Sequence, residues 1–139
     1  MPDVDRTDFL LIFGANPVVS NGSVMSAPGM ARRLKDLRSR GGRLVVVDPR
    51  RTRTAGLAGT YLPIRPGTDV LLLLAVVHVI FDEELAAAGR LAGFTDGIEQ
   101  VCRAVGPFPA ERAAPWTGIE PAAIRGLARQ FAAAPSAAC

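Results

Sequence analysis

Three short polar clusters hold the residue types that could do chemistry in this chain, and each follows an apolar run. Asp48, with Arg50, Arg51 and Arg53 behind it, follows Leu44, Val45, Val46 and Val47. Gly14 and Asn16 follow DFLLIF, residues 8–13. Gly67, Thr68 and Asp69 follow TYLPI, residues 60–64. An ionised carboxylate only accepts hydrogen bonds, so Asp48 suits a pair of ribose hydroxyls and Asp69 suits the N1–H and N2–H edge of a guanine. Backbone amides at Gly14 and Asn16 can approach a phosphate, and Arg50 or Arg51 can pair with phosphate or stack on a base. Each cluster also has a plainer reading: Asp48 capping the DPRR turn, and Gly67 to Asp69 as ordinary turn and helix-cap residues. The coincidence of three clusters at three strand ends favours a ligand.

No nucleophile, base and orienting group occur together, and no catalytic residue is assigned. His78, the only histidine, lies in LLLLAVVHVIF and reads as a core or interface residue. Glu83 and Glu84 read as a solvated helix end, and Tyr61 and Trp116 as packing residues. Cys102 and Cys139 form neither a CxxC pair nor a spaced quartet. That argues against a zinc site, an iron–sulfur cluster within this chain and a disulfide scaffold, and no metal ligand is assigned.

The elements that must position the clusters follow from periodicity. Asp8–Phe13 and Arg43–Val47 are apolar without alternation, as strands buried on both faces are. Between them Pro28–Arg40 places Met30, Leu34 and Leu37 at helical spacing, and Gly41-Gly42 ends that helix. Strand, helix and strand joined by short links make a parallel βαβ unit. Val18–Ala27 reads as an open loop and Thr52–Gly59 as about one helical turn. Thr60–Ile64 is a short strand whose proline puts it near a sheet edge. A helix over Val70–Ala88, apolar nearly all round at its start, should be deeply buried. A short helix over Ile98–Ala104, a proline-rich connection over Gly106–Thr117, a last helix over Ile119–Ala134 and a frayed tail complete the chain. In a parallel sheet the three clusters would share one edge, where open α/β sheets bind ligands.

The totals agree. A chain of 139 residues, 49% apolar, is long enough for one domain with a core and too apolar for disorder. A net charge of +3, carried almost wholly by arginine with Lys35 the only lysine, does not argue for nucleic acid. The polar, acidic start does not read as a signal peptide, and Val70–Phe81 is too short to span a membrane. Cysteine usage points to a reducing, cytoplasmic compartment, with export of a parent enzyme the alternative.

The ordered set GANP, GGRLVVVDPRRTRTA and LPIRPGTDVLLLLAVVHVI, continued by AGF near Gly93 and by TGIEPAAIRGLARQFAAAP, resembles the molybdopterin oxidoreductase family. These are the bis-molybdopterin guanine dinucleotide enzymes, among them formate dehydrogenases, nitrate reductases and dimethyl sulfoxide reductases. The resemblance implies a three-layer, Rossmann-like α/β domain, residues 1–139, with a small parallel sheet of at least three strands between helices. It implies that Gly14 and Asn16 meet the nucleotide or phosphates of a molybdopterin guanine dinucleotide, and that Asp48 binds ribose or guanine. Arg50 would flank the guanine or phosphate, and Gly67, Thr68 and Asp69 would close around the guanine.

Two departures stand out. Val18 and Val19 occupy the loop where the family often has an acidic residue, and Cys102 does not match the position of a metal ligand. Family members are also several times longer, with a cluster motif and a metal-ligand segment that have no match here, so the expectation is one α/β domain cut from a larger molybdenum or tungsten oxidoreductase, inactive alone. Its partners would be the parent's remaining domains, and its truncated surfaces would favour self-association. The alternatives are an ordinary nucleotide-binding domain for NAD(P) or a similar cofactor, which the absence of GxGxxG after Gly14 disfavours, or a non-catalytic interaction module derived from the family.

Overall fold

A computed structural model describes residues 3–21, 27–87, 89 and 93–139. The chain divides into two compact units, Met1–Ile64 with Ala134–Cys139, and Arg65–Ala133. In the first, strands β1 (Phe9–Phe13), β2 (Arg43–Val47), β3 (Thr60–Leu62) and β4 (Ala137–Ala138) form one parallel sheet in the order β3-β2-β1-β4. The α/β class and the parallel sheet are as expected, with one strand more than the minimum. Helices α1 (Pro17–Ser20), α2 (Met30–Ser39) and α3 (Arg53–Leu57) belong to the same unit.

Both faces of the two central strands are buried, as their lack of alternation required. Leu10, Ile12, Leu44 and Val46 pack with Met30, Leu34 and Leu37 of α2 and Ala55 of α3. The alternate residues Phe9, Leu11, Val45 and Val47 are equally buried. β3 stops at Leu62 because Pro63 has no amide to donate, and it lies at an edge as predicted.

The link from α2 to β2 uses two glycines for two different reasons. The Gly41 amide donates to Arg38 O at 3.0 Å and the Gly42 amide to Leu37 O at 2.9 Å, the paired bonds of a Schellman end. Gly41 needs its freedom because its φ is +87°. Gly42 needs the absence of a side chain: a Cβ there would lie 2.4 Å from Leu37 Cδ1 and 2.7 Å from Leu37 O.

In the second unit α4 (Asp69–Asp82) is the centre, and α5 (Ile98–Val105), α6 (Ala110–Thr117) and α7 (Pro121–Ala132) pack around it. Leu72, Ala75, Val76 and Val79 form the buried stripe of α4, and Ile124, Leu127 and Ala128 that of α7. Glu83 takes two hydrogen bonds from Arg129, at 2.6 and 2.8 Å, so it is not the free solvated end expected of it. Those bonds hold the Glu83 carboxyl below the usual carboxylate range. Among the described residues no helix is long and apolar enough to cross a membrane.

Four expectations are corrected. The tail is not frayed: Ser136 O accepts from the Asp8 and Phe9 amides and from Thr7 Oγ1, which docks β4 beside β1. Residues 110–117 are a helix, because Ala110, Ala113 and Thr117 bury one face and Pro115 falls only in its last turn. The predicted open loop contains the short α1, while residues 22–26 lie outside the described set.

The fourth correction concerns α4. It is not buried all round, since Val70 and Leu73 are exposed. It also ends at Asp82 rather than 88, a residue outside the described set. Its end is a second Schellman motif, with Glu84 N donating to Phe81 O and Leu85 N to Ile80 O, and the left-handed position is held by Glu84 at φ +54°.

These two helix ends predict opposite outcomes. Gly42→Ala must displace backbone at the entry to β2 and should destabilise by about 1–3 kcal/mol in urea unfolding. Glu84→Gly relieves a left-handed non-glycine residue and should stabilise by about 1 kcal/mol. A destabilised Glu84→Gly would refute the assigned helix end.

Candidate functional site

Parallel pairing puts the carboxyl ends of β1 and β2 side by side. Phe13 pairs with Val47, and the next residues on each strand are Gly14 and Asp48. Gly14 has φ +56° and its amide donates to Val47 O at 2.9 Å, so the turn begins as the last rung of the ladder. That amide is therefore not available for the phosphate contact expected of it. What Gly14 offers is space: a Cβ built there would meet nothing within 4 Å.

Asp48 is 7% exposed. Its Oδ1 accepts from the Arg50 amide at 2.8 Å, and its backbone is tied to Tyr61, whose hydroxyl donates to Asp48 O at 3.0 Å, and to Leu62 O at 3.3 Å. Asp48 does cap its own turn, then, but with one oxygen only. Oδ2 has no protein partner among the described residues. No buried side-chain polar atom there is left unpaired, so Oδ2 opens to solvent at the strand edge. The capping reading and the ligand reading are compatible, because the bond that fixes Oδ1 also aims Oδ2.

The basic turn divides its labour. Arg50 is exposed, and among the described residues its guanidinium has no partner. Arg51 instead lies over the Tyr61 ring, 5.9 Å from its centroid. Thr52 caps α3, its Oγ1 accepting from the Ala55 amide at 3.2 Å.

Asn16 and Thr54 form a bridge that sequence reading missed. Asn16 Oδ1 accepts from Thr54 Oγ1 at 2.8 Å and from the Thr54 amide at 3.3 Å, while Thr54 Oγ1 accepts from the Val18 amide at 3.2 Å. Thr54 is fully buried. The only trace in the sequence is the hydroxyl residue six places after Asp48, which looks like any short helix residue.

Gly67, Thr68 and Asp69 belong to the second unit. Gly67 has φ +79°, and Thr68 donates through its amide and its hydroxyl to Arg65 O, at 3.3 and 2.7 Å. Thr68 sits at the N-cap of α4, yet its hydroxyl serves the turn and not the helix amides. Asp69 opens α4, where a negative charge suits the helix dipole.

Two other candidates resolve differently. His78 is structural, its Nδ1 3.2 Å from Val105 O, which joins α4 to α5. Trp116 is not packed within its own unit: it is 63% exposed and lines an open pocket of about 300 Å³ with Leu71, Phe108, Arg112 and Ala113. Among the described residues no group of three or more His, Cys, Asp and Glu could hold a metal ion.

Comparisons with known proteins agree with this layout. Formate dehydrogenase H of Escherichia coli is 32% identical over 136 residues, covering 98% of this chain and 18% of that protein. Dimethyl sulfoxide/trimethylamine N-oxide reductase of Cereibacter sphaeroides is 32% identical over 139 residues, covering 94% of this chain and 17% of that protein. The solved structure of acetylene hydratase from Pelobacter acetylenicus superposes with a TM-score of 0.85 at 32% identity, covering 99% of this chain and 18% of that one. The chain thus spans about a fifth of the length of its relatives. Residues 1–127 match the sequence model of one family, and with it this chain belongs to the molybdopterin oxidoreductases.

Proposed function

We propose that the carboxyl edge of the sheet binds the guanosine diphosphate end of a molybdopterin guanine dinucleotide, as one segment of a longer molybdenum or tungsten enzyme. The observation that carries this reading is Asp48: a carboxylate at the end of a buried parallel strand, one oxygen fixed by the Arg50 amide and the other open. Such a group suits the donors of a ribose or of a guanine edge. The space over Gly14 and the exposed Arg50, whose guanidinium has no partner among the described residues, suit a diphosphate. For Gly67, Thr68 and Asp69 the guanine-closing role rests on the family pattern alone.

The relatives support a cofactor-holding role over a substrate-selecting one. By their names they include a formate dehydrogenase, a sulfoxide and amine oxide reductase and a hydratase, all similar to this segment at 32% identity. What proteins of such different chemistry share is better explained by a common cofactor than by a common substrate. In the parent enzyme the pterin-bound metal supplies the chemistry when bound, and the protein holds and orients it. No residue here is assigned to bond making or breaking, so the chain alone should turn nothing over. Its partners are the remaining domains of the parent. The exposed Val70, Leu73 and Trp116 would pack against those domains or, in the isolated chain, against another copy.

Nucleotide choice tests the reading. GDP should raise the thermal midpoint of the chain in a concentration-dependent way, and ADP at equal concentration should not. Equal shifts with ADP or NAD would overturn the guanine assignment in favour of an ordinary nucleotide-binding domain. Asp48→Asn keeps an oxygen for the Arg50 amide but replaces Oδ2 with a donor. Its stability should hold while GDP affinity falls by about 1.5–3 kcal/mol, the scale of a hydrogen bond to a charged group. A GDP affinity unchanged in Asp48→Asn would remove Asp48 from the site.

A further inference from the structure

We propose that Thr54 is the positioning residue of this site: a buried clamp that fixes Asn16 with its carbonyl inward, so that the Asn16 amide group recognises a phosphate oxygen. The inference deepens the nucleotide reading above. It rests on that reading for the identity of the ligand, while the clamp is a property of the chain without ligand.

The orientation of an asparagine amide is decided by its partners, and here they allow one answer. The Thr54 backbone nitrogen can only donate, so the Asn16 atom 3.3 Å from it must be the oxygen. The Val18 amide can also only donate, and it occupies Thr54 Oγ1 as an acceptor. The Thr54 hydroxyl proton is then free to donate to the same Asn16 oxygen at 2.8 Å. A flipped amide would set its NH2 against the Thr54 N–H, donor against donor. Asn16 Oδ1 therefore takes two hydrogen bonds from Thr54, and Nδ2, on the other side of the side chain, has no partner among the described residues and keeps its protons to give.

Three consequences follow. First, Asn16 can serve a ligand only as a donor, which selects an acceptor such as phosphate. Second, it replaces the donor that Gly14 lacks, whose amide is held by Val47 O. Gly14 and Ala15 are exposed beside the half-buried Asn16, so an acceptor can reach the turn. Third, Thr54 lies in α3, just beyond Asp48 and Arg50, while Asn16 and Val18 flank the exit of β1. The clamp thus ties one strand-end turn to the other across 38 residues of sequence. Both of its bridging polar groups are satisfied, and Thr54 has no exposed surface to lend to a ligand itself.

The test uses the 139-residue chain with GDP and guanosine as titrants, together with proton–nitrogen spectra of the ligand-free protein. Thr54→Val keeps the shape and removes the hydroxyl. It should speed exchange of the Val18 amide, shift the Asn16 side-chain NH2 resonances and weaken GDP about tenfold. Thr54→Ser should restore all three. Asn16→Asp keeps an oxygen for Thr54 but presents a second oxygen to the ligand, so its fold should persist while GDP weakens about tenfold or more and guanosine binds as before. Unshifted Asn16 resonances and full GDP affinity in Thr54→Val would overturn the clamp. Wild-type affinity for GDP in Asn16→Asp would overturn the phosphate role. A wild-type chain indifferent to GDP would overturn the nucleotide reading and the ligand half of this inference, and the ligand-free spectra decide the clamp independently.

Discussion

The register between β1 and β2 is the constraint from which the rest of the first unit follows. Phe9 opposite Arg43 puts Phe13 opposite Val47, and that pairing alone sets Gly14 next to Asp48. A slip of one residue would reverse which side chains face α2 and would pull the two turns out of step. The observed register keeps Leu10, Ile12, Leu44 and Val46 together on the face that packs α2. The Schellman end at Gly41-Gly42 secures the same register from the helix side, delivering the chain to Arg43 at a fixed point. Hydrophobic packing therefore determines the placement of polar groups that take no part in it.

At the carboxyl edge the polar atoms are divided between holding the turns and remaining open. Asp48 gives Oδ1 to the Arg50 amide and leaves Oδ2; Asn16 gives its oxygen to Thr54 and leaves its nitrogen. Arg51 lies on Tyr61 while Arg50 stays unpartnered among the described residues. In Asp48 and Asn16 the bonded atom orients the open one. Under the proposed function such a division would limit the entropy lost on binding, since those two side chains are already oriented.

Most of the fold was legible because the relevant physics is local. Apolar runs without alternation, the spacing of Met30, Leu34 and Leu37, and a glycine pair at a helix end each act within a few residues of sequence. The misses share an opposite character. The stop at Asp82 uses the same motif as the stop at Ser39, but Glu84 takes the place a glycine would mark, so composition hides it. β4 consists of two alanines whose strand state comes only from docking beside Phe9 and Leu10. The helix over 110–117 carries two prolines at or within its bounds and is helical because of what it buries. In the site, Asp48 and Asn16 were visible as residue types at strand ends. Thr54 was not, since its role arises from a partner 38 positions away. The family resemblance suggests a ligand class, but it does not say which atom of Asn16 is open to it.

The docking of Ser136 to Thr7 reaches across 129 positions, and the whole second unit lies between the third strand and the fourth. During synthesis, the first three strands and then the helices of the second unit leave the ribosome before β4 exists. The outer edge of β1 consequently spends that interval without its neighbour. Closing a flexible loop of this length costs about 4 kcal/mol in chain entropy. An intervening unit that has already folded is no longer a flexible loop, and it lowers that cost. Were the helical unit already folded at that point, it would shorten the flexible path over which two alanines join a sheet begun more than a hundred residues earlier.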